Sequence, residues 1–298
     1  MTKTKVALVR TSDRHAGVRR SIELLGVNPV KGKEVLVKPN FNTADPAPGS
    51  TDLATLEELI LKLREMGARS VLVAERSGPP LTADVVRDKG YDRLFEKLGV
   101  RFIDLDENDT DHWVEFRPQN GNWPEGFVYP KVVRDAECIV ATCCLKTHGK
   151  GGVISMALKL GVGLVPRRGY DFMGQMHGSP NMRKMITEIN LCYRPELIVM
   201  DGVDVFVDGG PDQGVRKKAS VFVTGTDRVA VDAVGVAVLK DLGSNEDIMS
   251  KKIFDQEQIA RAVELGLGVD SPDKIELVTD DEESAAYAAR LREILDQG

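Results

Sequence analysis

"CIVATCCLKTHGKGG", residues 138–152, begins as an apolar run and ends in lysines, a histidine and glycines. The run CIVATCC is typical of a strand that is buried on both faces, as in a parallel sheet covered by helices. Because side chains alternate along a strand, Cys144, Lys146 and His148 would share one face if the strand continues. The glycines indicate a turn where backbone can approach an anion, and a helix is predicted after it over "VISMALKLGVG". We therefore expect a central strand that carries a cationic site at its end.

Val- and Ile-rich runs alternate with amphipathic stretches elsewhere, which predicts an α/β fold with a largely parallel central sheet covered by helices. Residues 107–130 break the alternation with both tryptophans and three prolines, and we predict a hairpin or flap insertion there. The chain is then either a single α/β domain over 1–298 or two lobes, 1–106 and 131–298, joined by this insertion. Strands are predicted at 5–10, 34–40, 70–75, 101–106, 138–144, 196–201, 219–224 and 274–279. Helices are predicted at 52–67, 179–194, 227–243 and 255–268, with a surface helix in the acidic tail 280–298.

The overall charge limits the classes of partner. The 298 residues have a formal net charge of −6, which argues against nucleic acid or an anionic membrane as the main partner. An anionic ligand would therefore need a local cationic pocket. The start "MTKTKVALVR" predicts neither a secretory signal nor a membrane span, and four cysteines do not form a disulfide framework. A cytoplasmic, reducing location is the simplest expectation.

Polar side chains follow the strand "VLVKPNFN", whose exit carries Lys38, Asn40 and Asn42. The next loop brings Ser50 and Thr51 to the start of a helix, where free N–H groups and the helix dipole favour an anion. We therefore predict that these residues bind substrate. The alternative is that the two hydroxyl groups only cap the helix and that the lysine is solvated.

The turn after the opening strand supplies further candidates. Gly151 and Gly152 would let backbone approach the same anion, and Lys146 and His148 would take part in catalysis. His177 is predicted to lie just before a helix capped by Ser179, where it could contact the ligand. A solvated basic loop and a histidine without a role are the alternatives. If the hypothesis is right, Lys38, Lys146 and His148 line one cleft although they are far apart in sequence.

Carboxylates suggest a weaker hypothesis, a site for a hard cation. Asp201 and Asp208 occur in "IVMDGVDVFVDGGPDQG", although Asp and Gly are also the usual residues of turns. Asp232 lies inside an almost wholly apolar predicted helix, where a carboxylate is costly to bury unless it has a partner. We expect it to be buried against a cationic or polar group, with Lys38, Lys146 or His148 as candidates.

The four cysteines support a metal site only weakly. Cys143 and Cys144 point in opposite directions along a strand and cannot chelate one metal together, and the chain has no CxxC spacing. Cys138 and Cys192 lie in apolar surroundings. Buried structural cysteines are the better interpretation, except that Lys146 and His148 could lower the pKa of the Cys144 thiol.

Seven motifs occur in order between about residues 34 and 268: "VLVKPNFN", "PGST", "CCLKTH", "GGVISMALKLGVGLVP", "MHGSPNMRKMITEIN", "VMDGVDVFVDGGPDQG" and "GTDRVAVDAVGVAVL". Together they resemble the domain-of-unknown-function family 362. The resemblance implies a cytoplasmic bacterial or archaeal protein without an assigned reaction, and some relatives carry a ferredoxin-type iron–sulfur extension. This sequence has no such cysteine-rich extension, and Asp52 stands where close relatives are expected to have a histidine. The family's polar positions fall on Lys38, Asn40, Lys146, His148, His177 and Asp201.

The leading functional hypothesis is an enzyme acting on a small anionic metabolite, a carboxylate or a phosphate. Lys38 and Lys146 would hold the anion, and His148 or His177 would serve as general acid or base. Asp201 or Asp232 would orient a divalent cation. The candidate cofactors are therefore a divalent metal and, for the alternative that uses the cysteines, an iron–sulfur cluster. The alternatives are an iron–sulfur or redox accessory protein that uses Cys143 or Cys144 across a homodimer interface, and a non-catalytic metabolite-binding module.

Overall fold

The computed structural model describes residues 3–106 and 112–298. Within these ranges the chain forms one large sheet, a separate two-stranded sheet, and helices on both faces of the large sheet. The strands are β1 (Thr4–Arg10), β2 (Glu34–Lys38), β3 (Ser70–Glu75), β4 (Arg101–Asp104), β5 (Trp113–Phe116), β6 (Phe127–Pro130), β7 (Cys138–His148), β8 (Val153–Ile154), β9 (Leu197–Gly209), β10 (Gly214–Gly225) and β11 (Ile275–Val278). The helices are α1 (Arg14–Leu25), α2 (Leu53–Glu65), α3 (Thr82–Lys89), α4 (Tyr91–Leu98), α5 (Lys131–Arg134), α6 (Ala157–Leu160), α7 (Phe172–Gly178), α8 (Met182–Glu188), α9 (Arg228–Asp241), α10 (Glu246–Met249), α11 (Glu257–Glu264) and α12 (Glu282–Gln297).

The large sheet has the strand order β11-β1-β10-β9-β7-β2-β3-β4, and β8 pairs with the end of β7. β10 runs antiparallel to both of its neighbours and β8 runs antiparallel to β7, whereas the other pairs are parallel. The predicted largely parallel α/β fold is therefore confirmed. Strands from both candidate lobes pair in this sheet, because β2 and β9 flank β7.

Two apolar layers cover the sheet, one on each face. Val140 of β7 belongs to the core that α1 and α2 cover, and its neighbour Ala141 belongs to the core that α9 and α12 cover. The strand CIVATCC is buried at every position, as its sequence predicts for a strand between two helical layers. Because the sheet is packed on both faces, the ends of its strands determine where the polar residues that follow them lie.

β5 and β6 pair antiparallel, which confirms the hairpin predicted near 107–130; residues 107–111 of that prediction lie outside the described residues. They pack beside a third apolar cluster, which contains Trp123, Phe127 and Phe172, above the β2 and β3 side of the sheet. The hairpin thus packs with α7 and α8 over this part of the sheet.

Several predicted elements differ from the structure. β9 continues past the predicted end at 201 to Gly209, because Val203, Val205 and Val207 are buried along it, and the chain turns only after Gly209. The turn after His148 leads first into the two-residue strand β8, which pairs back onto β7, and only then into α6. The helix predicted over 179–194 is only α8 with a following 3-10 turn, and Asn181 rather than Ser179 precedes it. The helix predicted in the tail is α12, with Leu291 and Leu295 buried in the core.

Candidate functional site

A cavity of about 290 Å³ lies at the carboxyl ends of β2, β3 and β7. This is the edge where open α/β sheets bind ligands. α6, the 3-10 turn at 161–164 and α7 form its other walls. Its charged lining residues are Lys38, Glu75, Arg76, Lys150, Lys159 and Arg167, and its other polar lining residues include Asn40, Asn42, Ser77, Ser155, His148 and His177.

Lys38 and Glu75 form a buried ion pair at the base of this cavity. The ammonium nitrogen lies 2.6 Å from Oε2 of Glu75, and both side chains are about 2–3% exposed. Burial lowers the pKa of Lys38 and raises the pKa of Glu75, and each charge partly counters the effect on the other. Gly163 covers the pair so closely that a Cβ at its position would lie 2.3 Å from Oε1 of Glu75. Lys38 therefore lines the cavity, as predicted, but its charge is already compensated.

Lys146 lies outside the cavity lining, which corrects the prediction that it shares one cleft with Lys38 and His148. Its side chain is completely buried, and Nζ donates hydrogen bonds to the carbonyl oxygens of Gly49 at 2.6 Å and Pro211 at 2.8 Å. Burial lowers the pKa of Lys146 to about 8. The lysine thus joins two loops behind the cavity.

His148 lines the cavity as a neutral imidazole. Its Nδ1 accepts a hydrogen bond from the backbone N–H of Gly152 at 3.2 Å, which leaves the ring proton on Nε2. Burial and the charges of Lys159 and Lys146 lower the pKa of His148 to about 2. A side chain at Gly152 would meet this ring, because its Cβ would lie 2.8 Å from Nδ1. His148 can therefore donate a hydrogen bond but does not carry a charge at neutral pH.

Lys159 is the cavity residue that the sequence interpretation missed. It follows the start of α6, and its side chain is half-buried. In the part of the chain that the structure describes, neither a hydrogen bond nor an ion pair reaches its ammonium group. Burial, together with the charges of Lys146 and Arg76, lowers the pKa of Lys159 to about 7. A single lysine inside the apolar stretch "SMALKLGVG" was the signal that could have identified it.

Two buried donors beside this lysine also lack partners. Arg76 donates to the carbonyl oxygens of Ser77 at 2.7 Å and Val162 at 2.6 Å, but its Nε has no acceptor among the described residues. The amide nitrogen Nδ2 of Asn42 is likewise buried without an acceptor there. A buried donor without an acceptor is costly, so the two atoms mark a place where a ligand acceptor would fit.

The remaining lysine and arginine of the lining are paired. Nζ of Lys150 lies 3.8 Å from Asp212, and a guanidinium nitrogen of Arg167 lies 3.4 Å from Asp106. Arg167 also donates to the carbonyl oxygens of residues 78–80. Lys159 and Arg76 are thus the cavity cations without a carboxylate at ion-pair distance among the described residues.

His177 also lines the cavity, but it lies in the last turn of α7 rather than before a helix. Its side chain is exposed, and burial of part of the ring together with the charges of Lys159 and Lys150 lowers its pKa. The ring is therefore a neutral group between the cavity and solvent.

The other predicted substrate-binding residues divide into two groups. Asn40 lines the cavity, although its Nδ2 donates to the carbonyl oxygen of Gly49 at 3.2 Å. Ser50 and Thr51 lie outside the lining and are buried in their own loop, where each hydroxyl group bonds loop backbone. Asp52, not either of these residues, caps α2. Gly151 and Gly152 also lie outside the lining; they shape the turn that positions His148.

The predicted carboxylate ligands lie in three separate environments. Asp201 accepts hydrogen bonds from Arg14 and Thr55, each at 2.8 Å, whereas Asp208 is exposed and accepts from Asn245 at 3.0 Å. Across residues 3–106 and 112–298, no group of three or more His, Cys, Asp or Glu side chains could hold a metal ion. The predicted set of Asp201, Asp208 and Asp232 is therefore not assembled.

Asp232 is completely buried, as predicted, but its partners are backbone groups rather than a lysine or histidine. Its two carboxylate oxygens accept hydrogen bonds from the N–H groups of Ala157 at 2.8 Å and Leu158 at 2.9 Å. Burial raises the pKa of Asp232 to about 7, and these two hydrogen bonds limit the increase. The carboxylate of α9 thus fixes the start of α6, which carries Lys159.

The cysteines are free thiols. Burial raises the pKa of Cys144 to about 11 although Lys146 acts in the opposite direction, so the predicted low thiol pKa is wrong. Burial also raises the pKa of Cys143, which lines the cavity, well above its ordinary value. Both thiols therefore stay protonated at neutral pH, and a protonated thiol is a poor nucleophile.

The fold and the cavity define an α/β protein with a cationic, metabolite-sized cavity at the carboxyl ends of its parallel strands. A family model described as "Domain of unknown function (DUF362)" matches residues 35–237, and the chain belongs to this family. This confirms the resemblance that the seven sequence motifs indicate.

Three proteins illustrate the similarity to other chains. The "Thylakoid-associated protein sll1697" of Synechocystis sp. is 25% identical over 258 residues, which cover 79% of this chain and 74% of the relative. A crystal structure of a Thermotoga maritima protein has a TM-score of 0.45 and 12% identity, and the match covers 76% of this chain but only 56% of that one. The lactate racemase apoprotein of Thermoanaerobacterium thermosaccharolyticum has a TM-score of 0.46 and 14% identity, with 96% and 85% of the two chains covered. In the two described ranges of the present chain, every helix is too short or too polar to cross a membrane.

Proposed function

We propose that the protein is an enzyme that acts on a small anionic metabolite, a carboxylate or a phosphate, bound in the cavity at the strand ends. The observation that carries the proposal is the charge of the lining. Five lysine and arginine side chains and one carboxylate surround the cavity, in a chain whose formal net charge is −6. Because the whole chain repels anions weakly, this local excess of positive charge is best explained as a fixed binding site.

Arg76, and Lys159 when its amine is protonated, supply the uncompensated positive charge in the proposed site. Arg76 and Asn42 would donate hydrogen bonds to the same anion, since Nε of Arg76 and Nδ2 of Asn42 have no acceptor among the described residues. Lys38 has a smaller part in this proposal than its position suggests, because Glu75 already neutralises it. The volume of about 290 Å³ is near the lower limit of ligand pockets, which favours a small metabolite.

His177 and Lys159 are the proposed acid–base groups, whereas His148, whose pKa burial lowers to about 2, is a proposed hydrogen-bond donor rather than the predicted acid or base. Neutral His148 can donate from Nε2, and exposed His177 can exchange protons with solvent. Lys159 can also accept or donate a proton near neutrality, because its pKa is about 7. Two groups that can exchange protons, His177 and Lys159, therefore border the proposed anion site.

Calorimetric titration with phosphate, sulfate and small carboxylates tests this proposal. Lys159→Met should weaken anion binding by about 1.5–3 kcal/mol, the scale of a hydrogen bond to a charged group. Lys31→Met is the matched control, because Lys31 is exposed and precedes β2, at the opposite end of that strand from the cavity. Equal binding by all three proteins, or binding by none of them, would contradict the proposal.

A further inference from the structure

Hydrogen bonds hold the backbone directly before Lys159 in place. Asp232 holds the two N–H groups at the start of α6, and the lysine follows them directly. On the other side its Cε lies close to the backbone of Gly152, where an added Cβ would be only 3.1 Å away. An amine without a hydrogen-bond partner, on a helix start that Asp232 holds in place, is suited to attack on an electrophile.

The partnerless donors suggest where the rest of such an electrophile would lie. Nε of Arg76 has one N–H group and Nδ2 of Asn42 has two, and the two oxygen atoms of a carboxylate can accept hydrogen bonds from both nitrogens. The other guanidinium nitrogens of Arg76 are engaged by carbonyl oxygens. A ligand with a carboxylate near these donors and a carbonyl carbon near the amine would satisfy all three groups.

We propose that Lys159 forms an imine with the carbonyl carbon of a small 2-oxo carboxylate, with Arg76 and Asn42 holding the carboxylate group. This inference deepens the proposed function and rests on it, since it narrows the anionic metabolite to a carbonyl compound. The amine nitrogen attacks the carbonyl carbon and forms a carbinolamine. Protons then pass to the carbinolamine oxygen, the C–O bond breaks, and one molecule of water leaves as the C=N bond forms.

The surroundings of the amine favour this reaction. Only a neutral amine is nucleophilic, and burial, together with the charges of Lys146 and Arg76, lowers the pKa of Lys159 to about 7. In a substantial fraction of the molecules, the amine of Lys159 is therefore neutral at physiological pH. His177, at the boundary with solvent, can exchange the protons that the loss of water requires.

Reductive trapping tests the inference directly. The full chain would be incubated with pyruvate or glyoxylate and sodium cyanoborohydride, which reduces the imine to a stable secondary amine, and peptides would then be mapped by mass spectrometry. We expect the adduct on Lys159, with labelling that increases as the pH rises through about 7. Lys159→Arg keeps the charge and should lose the adduct, whereas Lys150→Arg, which alters a more exposed lysine of the same cavity, should retain it.

The inference fails if neither compound labels Lys159, or if labelling is the same in Lys159→Arg as in the wild type. Calorimetry with phosphate and lactate, which cannot form an imine, separates this failure from that of the proposed function. If Lys159→Arg and the wild type both bind these anions but Lys159 is not trapped, only the imine is excluded. If no anion binds and nothing is trapped, the anion-binding function is also wrong.

Discussion

Replacing Lys38 with methionine should destabilise the protein strongly, because the substitution leaves a buried carboxylate without its cation. Glu75 would keep only the backbone N–H groups of Arg76 at 2.7 Å and Phe41 at 3.3 Å. Removal of one partner of a buried ion pair costs about 3–5 kcal/mol. That is a large part of the total stability of a typical protein, about 5–15 kcal/mol.

A double-mutant cycle separates the ion pair from simple packing. Glu75→Gln removes the second charge with little change in shape, so the double substitution Lys38→Met, Glu75→Gln removes both charges of the pair. We expect the double variant to be more stable than Lys38→Met alone, since an uncharged replacement of a buried pair is often nearly neutral. Urea denaturation followed by circular dichroism measures the four free energies of unfolding.

An exposed ion pair of the same length provides the control. Nζ of Lys97 also lies 2.6 Å from a carboxylate oxygen, that of Glu57, but the lysine side chain is 67% exposed. Lys97→Met should therefore cost less than about 1 kcal/mol. Equal costs for the two lysine substitutions, or strictly additive effects in the Lys38 and Glu75 cycle, would show that burial does not govern the strength of the pair.

Two other predictions concern buried charges whose pKa values are shifted. The unfolded state binds more protons at Lys146 than the folded state between the folded pKa of about 8 and the unfolded value near 10.4, so stability should rise with pH in this window. Across this pH window, the free energy of unfolding of the wild type should rise by about 3 kcal/mol relative to that of Lys146→Met, as measured by urea denaturation. A difference that does not change with pH would show that the pKa of Lys146 is not lowered in the folded state. Asp232→Ala leaves the N–H groups of Ala157 and Leu158 without acceptors, at about 1–3 kcal/mol each. Because the pKa of Asp232 is raised in the folded state, the contribution of Asp232 to stability is largest near about pH 4 and is lost as the pH rises through about 7. The difference in melting temperature between the wild type and Asp232→Ala should therefore shrink over this range, and a difference that grows would refute the prediction.

The sequence predicted the sheet well because its parallel strands are buried on both faces and form continuous apolar runs. It predicted β9 poorly, because Asp201, Asp204 and Asp208 suggested turns. In the structure Arg14 pairs with two of these carboxylates within the strand, at 2.8 Å and 3.1 Å. A long-range partner of this kind cannot be found from local composition.

The candidate site was predicted only in part for a similar reason. Lys38, His148 and His177 were found because polar residues stand out at strand and helix ends. Lys146 was assigned to the wrong environment, because its contacts with Gly49 and Pro211 join residues that are distant in sequence. The argument that selected Asp232, a charge inside an apolar stretch, applies equally to Lys159 and would have identified it.

The hydrogen bonds of Lys146 also bear on how the protein could be divided or rearranged. One lysine on β7 connects the loop after β2 with the turn between β9 and β10, so segments more than 160 residues apart in the chain meet at one nitrogen atom. A fragment that contains only β1–β4 has Gly49 but lacks Lys146 and Pro211, and a fragment that contains only the part after the hairpin lacks Gly49. Ligand binding should therefore appear only when both fragments are combined, and complementation between separately expressed halves would give a direct functional signal for assembly of the complete sheet.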